Sequence, residues 1–288
     1  MRFLRITLIP ILLLSFISCK KKSTGTDATI AAVSLSNVGY GTAAQQNMDV
    51  YLPANRSTAS TKFIIMIHGG GWTSGDKSEF AQFVDTMKRR LPDYAIFNIN
   101  YRLSATPNNL FPTQENDVKA AVQFILSKAG EYLISDKYAI IGASAGGHLA
   151  MLQTYKNSTV KPKAVASFFG ISDMADMYNN PVGGNTLISL SVAQAVGATP
   201  ASNALIYSTS SPINYINSST ALPTILLHGG ADPLVKPSQS TNARDKLQTS
   251  GTATQYVLYP TGGHGDWDNA TYADAFNKVE AFFRLYVL

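Results

Sequence analysis

The 288 residues carry 45% hydrophobic side chains, enough to enclose a substantial core and to exclude a disordered chain. The formal net charge of +5 is not spread over the chain: five of its 23 Lys and Arg fall within residues 1–22, which hold no acid, leaving 18 charges of each sign beyond them. A neutral body excludes a basic groove for nucleic acid, and a single cysteine excludes an intrachain disulfide.

Residues 1–18 have the layout of an export signal. Arg2 and Arg5 precede an apolar run over residues 8–17, which is too short to span a bilayer comfortably, and Ser18 stands before Cys19. A lone cysteine at the end of such a run, followed by Lys20, Lys21 and Lys22, resembles a bacterial lipoprotein signal. Phe16 departs from that pattern, since a smaller aliphatic residue is commoner there. The resemblance implies lipidation of Cys19, with a signal that is simply cleaved as the alternative, and membrane attachment through the lipid anchor only. Residues 19–45, rich in Ser, Thr, Ala and Gly, read as a tether and irregular start with a weak strand near residues 29–34.

From residue 46 to 288 the pattern is that of one α/β domain. Residues 48–52 read as a strand ending at Pro53, and residues 63–67 as a central strand covered on both faces. A helix over 80–90, a strand over 95–100 and a helix over 115–126 continue the alternation, which predicts parallel βαβ units. A strand over 138–141, a helix over 146–154 and a strand over 164–169 follow. Residues 172–221 break the rhythm with Asn180, Pro181, Gly183, Gly184 and Asn185, and read as a small cap inserted into the sheet order. Strands over 224–228 and 255–259 and helices over 238–247 and 272–285 close the chain.

Chemistry concentrates at the ends of these strands. Ser144 sits in Gly142-Ala143-Ser144-Ala145-Gly146-Gly147, between an apolar strand and helix-like sequence, as a nucleophile on a tight strand-to-helix turn does. A serine hydroxyl at neutral pH needs a histidine to take its proton and a carboxylate to orient that histidine. Four histidines are available. His148 lies one helical turn after Ser144 and points down the helix, so packing or a local hydrogen bond is expected of it. His68 and His228 end strands and precede Gly-Gly. His264, in a glycine-lined loop between the last strand and the last helix, is the candidate base. Asp232, after the strand over 224–228, is the candidate acid, with Asp266, Asp268 and Asp173 as rivals.

The run His68-Gly69-Gly70-Gly71-Trp72 follows the strand over 63–67. Its glycines leave amide hydrogens unobstructed, as a negative tetrahedral oxygen requires, and the amides of Gly70, Gly71 and Ala145 are the candidate donors. A phosphate loop is the competing reading, but no Gly-Lys-Ser/Thr follows. Trp72 is either core packing or a wall of the substrate site. The scattered histidines match no metal-ligand spacing, and no cofactor is called for.

Taken together, the glycine loop with Gly75, Asp76 and Lys77 behind it, Asn100-Tyr101-Arg102-Leu103, Phe111-Pro112, Asp117-Val118, the serine turn, Asp232-Pro233 and His264 resemble the esterase branch of the α/β-hydrolases. The hormone-sensitive-lipase-like carboxylesterases and the bacterial feruloyl-esterase-like group, with its kynurenine-formamidase-like members, are nearest in texture. The resemblance implies an α/β-hydrolase fold, a mostly parallel sheet with helices on both faces. It further implies a catalytic set of Ser144, Asp232 and His264, with His68 and the Tyr101-Arg102 region bracing the glycine loop. The implied activity is serine esterase chemistry through an acyl-enzyme, on short acyl or hydroxycinnamoyl esters of a polar alcohol or carbohydrate. An amidase or peptidase of the same fold and a non-catalytic homologue are the alternatives. Within 172–221, Leu187, Ile188, Leu190 and Val192 are expected to line a small pocket, and Asn179, Asn180, Asn185 and Asn203 to suit a polar alcohol. Oligomeric state is not legible.

Overall fold

The computed structural model describes residues 29–157 and 159–288; the signal pattern and Cys19 lie outside the described residues. Strands β1 (Val33–Gly39), β2 (Asn47–Leu52) and β3 (Lys62–Ile67) are followed by helix α1 (Ala81–Arg90), β4 (Tyr94–Ile99), helices α2 (Thr113–Ser127) and α3 (Ala129–Tyr132), and β5 (Tyr138–Ala143). Helix α4 (Ala145–Leu152), β6 (Ala164–Phe168), helices α5 (Met174–Asn179), α6 (Thr186–Val196) and α7 (Ala204–Thr209) come next. The chain then runs through β7 (Thr224–Gly229), α8 (Pro237–Thr249), β8 (Thr254–Tyr259) and α9 (Asn269–Tyr286). The eight strands form one sheet in the order β1-β2-β4-β3-β5-β6-β7-β8. β1 and β2 are antiparallel to their neighbours and all the other pairs are parallel. This is the α/β-hydrolase topology.

The central strands are unbroken apolar runs because both of their faces are covered. Along β3, Phe63, Ile65 and Ile67 enter one core while Ile64 and Met66 enter the other, as the two-residue period of a strand requires. The first core is covered by α2, α4 and α8, through residues such as Val118, Leu149 and Leu247. The second is covered by α1 and α9, through Val84, Met87, Phe276, Val279 and Phe283. Both faces are therefore sealed, and the exposed chemistry is left to the strand ends.

The strand order locates that chemistry. The chain leaves β3 for β4 on one side and returns to β5 on the other, so the loops after β3 and β5 diverge at a topological switch point. Ile67 pairs with Gly142, which starts the two loops side by side. One loop carries the glycine run and the other carries Ser144.

One expectation shifts. The first strand, expected near residues 29–34, overlaps that stretch only at its start and runs over Val33–Gly39, pairing with β2 around an irregularity between Leu35 and Val38. It is a largely exposed edge strand, so no apolar alternation announces it, and the sheet starts ahead of residue 46. The cap holds short helices between its Asn- and Gly-marked loops, as its sequence allows. Asp173, Asn185 and Asn203 cap α5, α6 and α7 by accepting from first-turn amides, and Gly197 closes α6 with a φ of +78°. Its rear is fastened to the loop after β4, where the Phe111 amide and the Ser104 hydroxyl both donate to the Ala195 carbonyl.

Candidate active site

Ser144 is the single residue between β5 and α4, at φ +55° and ψ −122°, a conformation that costs an L-residue energy and persists only where its surroundings impose it. Its amide donates to the Phe168 carbonyl at 2.9 Å, and its carbonyl accepts from the His148 amide at 3.0 Å. The flanking glycines permit a close approach of backbones. A Cβ on Gly142 would lie 2.1 Å from the Gly146 carbonyl oxygen, and one on Gly146 would lie 2.1 Å from the oxygen of Ile67 and 2.4 Å from that of His68. The Gly-x-Ser-x-Gly spacing thus presses the serine turn against the end of β3.

The loop after β8 brings His264 back over the sheet. Its Nε2 stands 2.9 Å from Ser144 Oγ and its Nδ1 2.7 Å from Asp232 Oδ2. With Nδ1–H donating to the carboxylate, the Nε2 lone pair is left facing the serine hydroxyl. The loop is held from three sides: Trp267 Nε1 donates to the Gly263 carbonyl, the Tyr272 hydroxyl donates to the Gly265 carbonyl, and the Phe169 ring lies 4.6 Å from the imidazole.

Asp232 is 4% exposed, and burial alone would raise its pKa. Hydrogen bonds from His228 and His264, the charge of His264 and the Val235 amide outweigh that and hold the carboxyl well below the usual carboxylate range. Oδ1 accepts from the amides of Leu234 and Val235, and Oδ2 accepts from His264 and, at 3.4 Å, from His228 Nε2. His228 is the residue that sequence reasoning overlooked. Fully buried, it accepts from the Ser240 hydroxyl at Nδ1 and donates from Nε2 to the Val235 carbonyl. Its position four residues before Asp232, at the end of an apolar strand, was the available signal. The rival acids are occupied elsewhere or lie outside: Asp173 and Asp268 are helix caps, and Asp266 is exposed.

His148 behaves as expected. Trp72 Nε1 donates to its Nδ1 at 3.2 Å and its Nε2 donates to the Ser210 carbonyl at 2.7 Å. Burial lowers its pKa to about 4, which keeps the ring neutral. His68 is also neutral: burial lowers its pKa to about 4, its ring stacks on Tyr101 at 4.4 Å, and its Nδ1 donates to the Gly69 carbonyl.

The glycine loop turns through φ values of +97° at Gly70, +56° at Gly71 and +62° at Trp72. The Gly70 carbonyl closes the turn by accepting from the amides of Thr73 and Ser74. Behind it the Tyr101 hydroxyl donates to the Gly69 carbonyl at 2.9 Å, and the Ser104 amide to the Trp72 carbonyl at 2.8 Å. Arg102 clamps this brace to α2 through paired bonds to Asp117. Ala145, the first residue of α4, carries an amide that has no acceptor within the helix. Gly70 and Gly71 line the same cleft as Ser144, and Ala145 follows Ser144 directly in the chain.

A cleft of about 670 Å³ opens over Ser144 and His264. Its cap-side wall is Ile171, Met177, Leu187, Ile188 and Val192, joined by Leu234. Of the four asparagines expected to face an alcohol, only Asn185 borders it. The Asn203 side chain is used in capping α7, and Asn180 Nδ2 donates to Asp176. Leu190 points away from the cleft and is exposed. Trp72 borders the cleft but is 2% exposed, because its indole turns inward onto His148. It forms part of the floor and offers little open face for stacking.

A family model described as BD-FAE matches residues 48–247. The chain belongs to the BD-FAE family. The BD-FAE match spans the glycine loop, the serine turn and Asp232, while His264 lies beyond it. Among named relatives, Esterase LipQ of Mycobacterium tuberculosis is 26% identical over 81% of this chain and 57% of its own length. The Probable carboxylic ester hydrolase LipM of the same organism is 28% identical over 79% and 55%. The chain thus spans little more than half the length of these relatives. Among solved structures, a bifunctional GH43-CE protein of Bacteroides eggerthii superposes with a TM-score of 0.72 and 26% identity, over 86% of this chain and 38% of that one. A truncated carbohydrate esterase from gut microbiota gives a TM-score of 0.69 at 24% identity, covering 87% and 96%, and shares the fold.

The packing at the serine turn makes a direct prediction. Gly146→Ala forces a methyl group onto two carbonyl oxygens and should cost about 3 kcal/mol or more. Gly130→Ala in α3, where nothing lies within 4 Å of the added atom, should be neutral or stabilising by up to ~1 kcal/mol. Urea unfolding midpoints compare the two, and equal midpoints would contradict the close-approach account.

Proposed function

We propose that this protein is a serine carboxylic-ester hydrolase working through an acyl-enzyme. The single observation that carries the reading is the continuous relay from Ser144 Oγ through His264 to the carboxylate of Asp232, at 2.9 and 2.7 Å. The names of the relatives and the BD-FAE match support it. A non-catalytic homologue would have no need to keep that relay intact.

In this reading His264 Nε2 takes the Ser144 proton as Oγ attacks the ester carbonyl carbon. The tetrahedral oxygen takes bonds from the amides of Gly70, Gly71 and Ala145, each contributing roughly 3 kcal/mol of transition-state stabilisation. His264 then returns the proton to the departing alkoxide, and water releases the acyl group by the same steps in reverse. Asp232 stays ionised throughout, which matches a carboxyl held low by its donors. The apolar cap-side wall suits a short aliphatic or compact aromatic acyl group, hydroxycinnamoyl included.

A series of p-nitrophenyl esters from acetyl to dodecanoyl tests this. The parent protein should show its highest kcat/KM at or below eight carbons. Ser144→Ala and His264→Ala should each lose on the order of 10³-fold or more in kcat, while His148→Ala stays within about tenfold, its ring lying outside the relay. Unchanged turnover in folded Ser144→Ala would defeat the reading, and a kcat/KM still rising beyond eight carbons would defeat the acyl assignment.

We also propose that the protein is exported, with lipid attached at Cys19, in a bacterial cell envelope. Support comes from the sequence of residues 1–22 alone. Among the described residues no helix is long and apolar enough to cross a membrane. Intact-mass analysis of the mature N-terminus should find acylated Cys19 as its first residue, and Cys19→Ser should move the protein from the membrane fraction to the soluble one. An unmodified N-terminus beginning after Cys19 would overturn this assignment.

A further inference from the structure

Resting on the ester-hydrolase reading, we propose that Phe83 is a specificity-determining residue, whose ring closes the α1 end of the cleft and limits the length of acyl chain that Ser144 can carry. Three cavities meet at this side chain. Phe83 borders the cleft over Ser144, a groove of about 640 Å³ between α1 and α9, and a small void of about 20 Å³ that shares residues with each. Among the described residues no other lines all three.

Helix α1 does not need this ring for its seat on the sheet. Val84 and Met87 fill the second core at 1% and 0% exposure, whereas Phe83 is only half-buried. It is braced by aromatic neighbours instead: Phe80 lies edge-on at 5.4 Å, Tyr272 at 5.1 Å and Phe276 at 5.3 Å. Contacts from the start of α1 and from α9 thus fix the ring where the cleft meets the other two spaces.

The void behind the ring is apolar and adjoins the nucleophile. Met66, Ile141, Ala143, Phe168 and Phe169 lie in its lining, and the one polar side-chain group there, the Tyr272 hydroxyl, is committed to the Gly265 carbonyl. Ala143 and Phe169 line the cleft as well; the first directly precedes Ser144, and the ring of the second stands 4.6 Å from the His264 imidazole. A void this small and apolar stays dry, and the atoms around it lack contact partners on that side. An apolar chain reaching it would supply them.

The acyl group is the half of the ester that stays here, since in the acyl-enzyme its carbonyl carbon is bonded to Ser144 Oγ, one residue along from Ala143. The cap-side aliphatic wall and the Phe83 ring line the same cleft, so a short acyl group fits within it and a longer one meets the ring. Each further methylene taken from water into an apolar enclosure is worth roughly fourfold in affinity. Admitting two of them past this point would therefore be worth on the order of tenfold.

The test reads the ratio of kcat/KM on p-nitrophenyl decanoate to that on p-nitrophenyl butyrate. Phe83→Ala should raise it about tenfold, mainly through KM. Phe83→Leu, which keeps an apolar side chain among the aromatic rings, should raise it by a smaller factor and carries the test if Phe83→Ala does not fold. Val84→Ala loosens α1 at a position that lines none of the three cavities and should leave the ratio as in the parent. Alkyl acetates from ethyl to octyl, in which only the alcohol lengthens, should keep their parental ranking in both Phe83 variants. An unchanged ratio in folded, active Phe83 variants overturns the proposal, as does an equal rise in Val84→Ala or a change confined to the alkyl acetates. A folded parent inactive on every ester instead overturns the hydrolase reading.

Discussion

The catalytic end of this molecule depends on how closely the turn after β5 approaches the turn after β3. The atoms that set that distance are backbone atoms: Gly146 against the carbonyls of Ile67 and His68, and Gly142 against Gly146 itself. A methyl group at Gly146 would push the serine turn away from the end of β3, and one at Gly142 would force apart the serine turn itself. Because Ile67 and Gly142 are partners in the sheet, the contact is an extension of the strand register and inherits the rigidity of the double-sided core. The positive φ of Ser144 is held in place by this packing.

Electrostatics complete what packing begins. Asp232 is buried yet ionised because four donors converge on its two oxygens, two of them histidine rings and two of them amides of its own loop. That arrangement fixes which nitrogen of His264 carries the proton and leaves the other toward the serine. The other two histidines near the site, His68 and His148, are kept neutral by burial and hold the glycine loop and its tryptophan in place. The histidines differ in role because their surroundings differ: His264 alone combines partial exposure with a carboxylate on one nitrogen and a hydroxyl on the other.

Much of this was legible in the sequence, for identifiable reasons. β3, β4, β5 and β7 are buried on both faces and so read as continuous apolar runs, and the strand-end positions of Ser144 and Asp232 follow from them, whereas His264 follows the only partly buried β8. β1 was misplaced because an exposed edge strand leaves no such pattern. Of the cap asparagines expected to face the substrate, Asn203 is spent on a helix amide, a role that the residue type serves equally well, while Asn185 caps α6 and still borders the cleft. Trp72 combines the two readings its sequence leaves open, since its ring packs inward onto His148 and it still borders the cleft.

The proposed ester chemistry thus depends on one activated serine at the bottom of the cap-side cleft. Reaction with a fluorophosphonate probe, followed by peptide mapping by tandem mass spectrometry, tests that claim most directly. A single phosphonyl group on Ser144 is predicted, absent from heat-unfolded protein and greatly slowed by His264→Ala. Labelling of a different serine, or no adduct on protein whose folding has been verified, would contradict the account.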